Sequence, residues 1–508
     1  MNSIDRVFRY KRKDRFPGAF RKDGRRPLRQ SRTIRLAGSG AVRHNGYRKM
    51  NKNDTVEVQI TDYTQEGLGI GHADEMAVFI KDTVIGDVVS ARITKVKKTY
   101  AYGRVLQVLT ESPDRVKPPC PVAGPCGGCQ IQMMAYEAQL QYKQEKVKNC
   151  LVRLGGFDRR LIDEVKAEDI IGMDKPYRFR NKAQYPIGRD KNGQLIAGFY
   201  AGRTHSIIDC GDCLIGPKEN RQILQIILRH MESCGIDPYD EESLTGLIRH
   251  VMIRKAFATG RIMVVLVLNG KDLPRADLLV AALTACKDAD IECIALNCNT
   301  KRTNVILGEE TKILKGQGFL EDRIGDVRFR IGVRSFYQVN PVQTEKLYET
   351  ALQFAGLTGT ETVWDLYCGI GTISLFLARH AAFVYGVEII PEAVENAREN
   401  ARINGITNAA FFTGRAEEVL PEQYGKGLSH ADVIVVDPPR KGCDQVLLDT
   451  MLAMAPERIV YVSCDPATLS RDLKILCAGT YELRQVQAVD QFCHSCHVET
   501  VCLLTHKE

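Results

Sequence analysis

Val363-Trp364-Asp365-Leu366-Tyr367-Cys368-Gly369-Ile370-Gly371-Thr372 reads as a buried strand that runs into a glycine turn and opens a helix. Glycines in such a turn let the backbone approach a ligand closely. One strand further on, Val387-Glu388 ends the next apolar run. An acidic residue at that place can accept both ribose hydroxyls of a nucleotide. Working outward, residues 362–367, 383–388, 410–413, 432–437 and 458–463 are candidate strands with helical patterns between them. That alternation predicts a parallel sheet with helices on both faces and a ligand at the carboxyl ends of its strands.

Two nucleotide ligands compete for this turn. The full G-x-G-x-x-G of a dinucleotide fold is absent, because Ser374 stands where the third glycine would be. S-adenosylmethionine has no pyrophosphate and needs less of that loop, so D-x-x-C-G-x-G-T favours the methyl donor over NAD. The fourth strand pattern ends in Asp437-Pro438-Pro439-Arg440. An amino-methyltransferase would be expected to carry an aromatic in place of Arg440, to stack on the base. Methylation of an exocyclic amine is therefore not expected.

Val462-Ser463-Cys464-Asp465-Pro466 falls at the end of the next strand pattern, and His497-Val498-Glu499-Thr500-Val501 starts the last. Methylating carbon 5 of a uracil needs one activated thiol and one base. The thiolate adds to C6, C5 then takes the methyl group, and the C5 proton must leave before the thiol is expelled. Cys464 has the placement for the nucleophile and Glu499 for the base. A lone strand-end cysteine is more often a small buried hydrophobe; its combination with the cofactor turn makes the catalytic reading the better one.

The rest of the chain frames this domain. With 508 residues it is too long for one core. No run approaches the ~18 apolar residues of a membrane span, and the Arg-rich start lacks the apolar core of a secretory signal. Residues 1–50 carry 16 Lys/Arg against 3 Asp, or +13, so the other 458 residues hold −5 of the +8 total. That start is expected to be a disordered basic arm suited to nucleic acid. Short strand patterns with Gly turns over 51–110 predict a small β-barrel. Its connection Lys95, Lys97, Lys98, Tyr100 and Tyr102 suits RNA. Residues 111–325 read as an α+β domain, with a helix near 136–154, and 326–508 as the donor-binding domain. A polar and basic segment, Tyr177, Arg178, Arg180, Asn181, Lys182 and Gln184, with Arg249 and Arg254, reads as a phosphate and base grip.

Seventeen cysteines without a secretory signal point to a reducing compartment, the cytoplasm, where clustered Cys means metal or catalysis. Cys120, Cys126 and Cys129 have C-x5-C-x2-C spacing. With one distant Cys, either Cys210 or Cys213, they suit a four-Cys zinc site or a cubane iron–sulfur cluster. Cys493 and Cys496 with His494 and His497 could imitate a second metal site, but a metal there would crowd Glu499.

Taken in order, Ser335-Phe336-Tyr337-Gln338-Val339-Asn340, Asp365 to Gly371, Asp437-Pro438-Pro439-Arg440-Lys441-Gly442, Ser463 to Thr468 and His497 to Val501 resemble the RNA uracil-C5 methyltransferases. More narrowly, the chain resembles the bacterial 23S ribosomal RNA enzymes with an N-terminal TRAM barrel, over about residues 51–508. The resemblance implies a Rossmann-like class I methyltransferase domain, an OB-like TRAM barrel and a central iron–sulfur domain. It implies Cys464 as nucleophile and Glu499 as proton acceptor, with Gln338, Tyr367, Glu388 and Asp437 at the donor. It also implies a [4Fe-4S] cluster on Cys120, Cys126, Cys129 and Cys213, since Cys213-Leu214-Ile215 matches the family's fourth ligand. The expected substrate is a uridine of 23S ribosomal RNA and the expected state a monomer off the membrane. A transfer RNA enzyme sharing the catalytic half is the alternative. A non-catalytic RNA-binding relic is a third reading, opposed by intact Cys464 and Glu499. Cys493 stands where the family usually has Pro, and Cys496 is unusual.

Overall fold

The computed structural model of the protein describes residues 50–166, 168–202, 204–426 and 430–507. The basic arm expected over 1–50 lies outside the described residues except for Met50. Five strands, β1 (Thr55–Tyr63), β2 (Gly69–Ala73), β3 (Met76–Lys81), β4 (Val88–Val96) and β5 (Tyr100–Thr110), close into a barrel in the order β1-β2-β3-β5-β4. Alternating residues Val58, Ile60, Val78, Ile80, Val89, Ala91 and Ile93 point inward and fill it, as a period of two requires in a small closed barrel.

A mixed central sheet follows. Its strands are β6 (Lys182–Arg189), β7 (Leu195–Tyr200), β8 (Ile207–Asp209), β9 (Ile248–Lys255), β10 (Ile262–Leu268), β11 (Ile291–Cys298) and β12 (Glu310–Lys315), in the order β12-β11-β10-β9-β6-β7-β8. Helix Asn220–Cys234 lays Ile223, Leu224, Ile227 and Met231 on Val251, Ile253, Val264 and Leu266 of this sheet. Each fully buried aliphatic of this kind contributes about 1.5–3 kcal/mol. The hairpin β13 (Phe319–Ile324) and β14 (Val327–Gly332) comes next. The division expected at 325/326 falls in its turn.

The last sheet has strands β15 (Thr362–Leu366), β16 (Phe383–Glu388), β17 (Ala409–Thr413), β18 (Val433–Val436), β19 (Arg458–Ser463), β20 (Tyr481–Val489) and β21 (Glu499–His506), in the order β17-β16-β15-β18-β19-β21-β20. Alternation divides its side chains between two cores. Val433, Val435, Val460 and Val462 join the core beneath helices Pro341–Ala355 and Pro391–Ile403, while Ile434, Val436, Ile459 and Tyr461 join the core beneath Gln445–Met454 and Pro466–Leu476. Helices therefore cover both faces, as expected. The parallel arrangement holds for β15 to β19, whereas β20 and β21 are antiparallel. No helix among the described residues is long and apolar enough to cross a membrane.

Candidate active site

The order of strands reverses between β15 and β18, and their carboxyl ends face one another there. This is where an open α/β sheet leaves a crevice for ligand. After β15 the chain turns sharply. Tyr367 takes a left-handed φ of 72°, followed by Gly369 at 57° and Gly371 at 81°. A bulky residue in that region is strained; it is held by Tyr367 N and Cys368 N, which both donate to Val387 O at 3.0 and 2.9 Å. Glu388 caps the turn: its Oε2 accepts from Gly369 N at 3.1 Å and its Oε1 from Ile390 N at 2.9 Å. Beneath the turn, Ser374 Oγ donates to the buried Asp365 Oδ2 at 2.5 Å. Burial lifts the Asp365 carboxyl to about 7.

Asp437 follows β18 and donates its N–H to Leu366 O at 3.4 Å, which places it beside the turn. The Pro438–Cys443 segment behind it is pinned by Asp472, whose Oδ2 accepts from Tyr461 OH at 2.6 Å and Cys443 N at 2.8 Å. Gly442 fits there only without a side chain, because a Cβ would lie 2.5 Å from that carboxylate oxygen. Gln338, 7% exposed, precedes the helix cap Asn340, and its carbonyl accepts from Asn181 Nδ2 at 2.9 Å.

Cys464 leaves β19 into a helix capped by Asp465, whose side chain accepts from Ala467 N at 2.9 Å. Because β21 runs antiparallel to β19, its first residue lies at the carboxyl edge of the parallel strands. Ser463 pairs with Thr500, so Cys464 and Glu499 occupy the positions one rung further on. Glu499 is 3% exposed. Burial first, then Asp437, holds its carboxyl well above the usual range, with Arg440 opposing. Burial likewise pushes the Cys464 thiol up to about 12, with Glu499 and Asp437 adding to it and Arg440 lowering it. Asp437 is raised by burial and Asp365. The predicted positions Tyr367, Glu388, Asp437, Cys464 and Glu499 thus line one sheet edge. Arg440, read only as a missing aromatic, is the cation facing the thiol and the carboxyl.

Five thiols lie near one another away from this edge. Burial and then neighbouring thiols raise Cys120, Cys126 and Cys129, the last to about 12, and Cys213 acts on all three. A hydrogen bond with Cys210 lowers Cys213. Among the described residues, no three His, Cys, Asp or Glu side chains are grouped as ligands of a metal ion. At the second cysteine pair, His494 Nδ1 lies 3.3 Å from Gln139 Nε2, and its ring stacks on Tyr177 at 4.4 Å. The expected phosphate grip is partly corrected. Arg178 bonds Asp212 at 2.7 Å and Cys213 O at 2.9 Å, Arg249 bonds Asn299 O at 2.7 Å, and Arg254 bonds Gly332 O and Ser335 O at 2.9 and 2.8 Å. These guanidiniums satisfy buried carbonyls and a neighbouring carboxylate, because those acceptors would otherwise be left unpaired.

A family model described as tRNA (Uracil-5-)-methyltransferase matches residues 280–507, and one for the TRAM domain matches residues 49–106. A Halalkalibacterium halodurans protein described as an RNA methyltransferase is 51% identical over 458 residues, or 90% of this chain and 98% of that one. A Clostridium tetani protein with the same description is 47% identical over 457 residues, or 90% and 97%. The crystal structure of Pyrococcus abyssi tRNA (uracil-54, C5)-methyltransferase in complex with S-adenosyl-L-homocysteine superposes with a TM-score of 0.70 at 26% identity, covering 89% of this chain and 100% of that one. Fold and site together define a class I, S-adenosylmethionine-dependent methyltransferase carrying an N-terminal TRAM domain. Within that class, the chain belongs to the RNA uracil-5 methyltransferase family.

Proposed function

We propose that the protein methylates carbon 5 of a uridine in 23S ribosomal RNA through a covalent bond from Cys464. The observation that carries this reading is the convergence of a strand-end thiol, a buried carboxyl and the donor turn at one sheet edge. Gln338, Tyr367, Glu388 and Asp437 hold the donor, Glu388 at the ribose. The donor, when bound, supplies an electrophilic sulfonium methyl group. Cys464 loses its proton to solvent and its Sγ bonds to C6 of the uracil, moving the C5=C6 electron pair toward C5 and O4. C5 takes the methyl group; Glu499 then accepts the C5 proton, the C6–S bond breaks, and the ring double bond re-forms. Arg440 stabilises the thiolate against the two carboxylates beside it.

Cys120, Cys126, Cys129 and Cys213 would be the ligands of a [4Fe-4S] cluster. What supports this is an all-thiol donor set with Cys213 within electrostatic reach of the other three. Bound there, the cluster would cross-link the 120–129 loop to the Cys213 turn. The TRAM barrel and the cysteines support the ribosomal substrate, and a reducing cytoplasm suits both thiols and RNA. The alternative, a transfer RNA substrate, is supported by the likeness to the Pyrococcus abyssi tRNA (uracil-54, C5)-methyltransferase. Mass mapping of ribosomal and transfer RNA from a deletion strain decides between them: loss of a 5-methyluridine from 23S RNA is the expected result, and loss from transfer RNA alone would overturn the ribosomal assignment.

A further inference from the structure

Glu499 is delivered by the segment 490–498, and that segment lies along one face of helix Tyr136–Cys150, which follows the cysteine loop. Four side chains of the helix bond the segment. Lys143 Nζ donates to Asp490 Oδ1 at 2.5 Å and to Phe492 O at 2.9 Å, with both charged side chains fully buried. Tyr136 OH donates to Asp490 Oδ2 at 2.7 Å. Gln139 Oε1 accepts from His494 N at 3.1 Å, and Lys146 Nζ donates to Cys496 O at 2.7 Å. Residues 136, 139, 143 and 146 recur at the spacing of one helix face, and they meet 490, 492, 494 and 496 at alternate positions.

This stripe is polar where packing alone would place aliphatics. Gln139 is 1% exposed and Lys143 0%. Burying such groups costs stability unless every partner is supplied, and here the partners belong to the segment that ends in the base. His494 sits at a left-handed φ of 64°, a conformation that persists only when its surroundings over-determine it. Its carbonyl accepts from Gln130 N at 3.0 Å and Ile131 N at 3.1 Å, directly after Cys129.

We infer that Gln139 and Lys143 are positioning residues for the release step, holding the 490–498 segment in the register that presents Glu499 to the C5 proton. The inference rests on Glu499 being the base. Neither residue touches Cys464 or the donor turn, so thiol addition and methyl transfer do not depend on them, whereas proton removal does.

The test uses the full-length protein, total RNA from a strain lacking it, and labelled S-adenosylmethionine. Gln139→Leu, and Lys143→Met combined with Asp490→Asn so that no charge is left unpaired, are compared with Glu499→Gln. Release of methylated RNA from the covalent adduct should slow about tenfold or more in both variants. Adduct formation, KM for RNA and S-adenosylhomocysteine affinity should stay within about twofold. Unchanged release would overturn the inference, and so would a parallel loss of all four quantities, which marks a merely structural role. If the double variant lacks a cooperative thermal transition, Gln139→Leu decides alone. If Glu499→Gln itself releases RNA at the wild-type rate, the base assignment falls and this inference with it. If Glu499→Gln stalls while the other variants do not, only this inference falls.

Discussion

Cys464 follows the last residue of β19 and Glu499 is the first residue of β21, each next to the paired residues Ser463 and Thr500. That placement sets a thiol and a carboxyl at the same sheet edge, where one uracil ring could meet the first at C6 and the second at C5. The same closeness explains why Glu499 raises the proton affinity of the Cys464 thiol.

Replacing Cys464 with Ala removes the only group proposed to bond to C6. Methyl transfer to RNA should fall by at least about ten-thousand-fold, with S-adenosylhomocysteine affinity unchanged by calorimetry. Turnover near the wild-type rate would remove the covalent route.

The two carboxyls and Arg440 set a pH dependence with opposite signs. Glu499 acts as a base only when ionised, and burial and Asp437 keep it protonated to higher pH than usual. Release should therefore rise with pH through a range above that of an ordinary carboxylate. Asp437→Asn removes a like charge, lowers the Glu499 pKa and should shift the profile to lower pH at saturating donor. Arg440→Gln removes the opposing charge and should shift it to higher pH. Single-turnover profiles of the three proteins check both signs.

Asp365 links site and stability. Burial raises its carboxyl to about 7, above the unfolded value of about 3.9. The folded state then binds more protons than the unfolded one across that window. The stabilisation is full below the lower value and is lost as pH rises through the upper one. Asp365→Asn should flatten this loss, which is on the order of 4 kcal/mol at most. Denaturant melts at about pH 4 and 8 measure it; equal slopes in both proteins would contradict the prediction.

Anaerobically purified protein should be brown with about four iron per chain. Cys213→Ser should lose the iron and Cys210→Ser should keep it, although Cys210 lies within hydrogen-bond reach of Cys213. One stoichiometric zinc, or loss of iron in Cys210→Ser, would contradict the ligand set.

Much of the site was legible because its residues sit at strand ends, where period and turn chemistry leave local marks. Asp365 to Gly371 announces a strand, a glycine turn and a helix within a few residues, and Asn340-Pro341 marks a helix start with cap and first residue together. What was not legible depends on partners far away in the chain. Lys143 and Gln139 carry no mark in the sequence beyond the helix near 136–154, and Asp490 and His494, some 350 positions on, supply the partners that their burial needs. Arg249 and Arg254 look like nucleic-acid contacts in a basic segment, yet their acceptors are carbonyls of later loops. The antiparallel turn of β20 and β21 had no helix-length connection to predict it from: a short linker between two apolar runs is the mark of a hairpin-like return, here obscured by the polar 490–498 segment.

The covalent mechanism is tested most directly by trapping its intermediate. Glu499→Gln is incubated with RNA and labelled S-adenosylmethionine and run on denaturing electrophoresis. A slow-migrating species carrying both RNA and the labelled methyl group should accumulate, and it should vanish in Glu499→Gln combined with Cys464→Ala. Free turnover by Glu499→Gln with no such species, or a labelled adduct that survives loss of Cys464, would contradict the account.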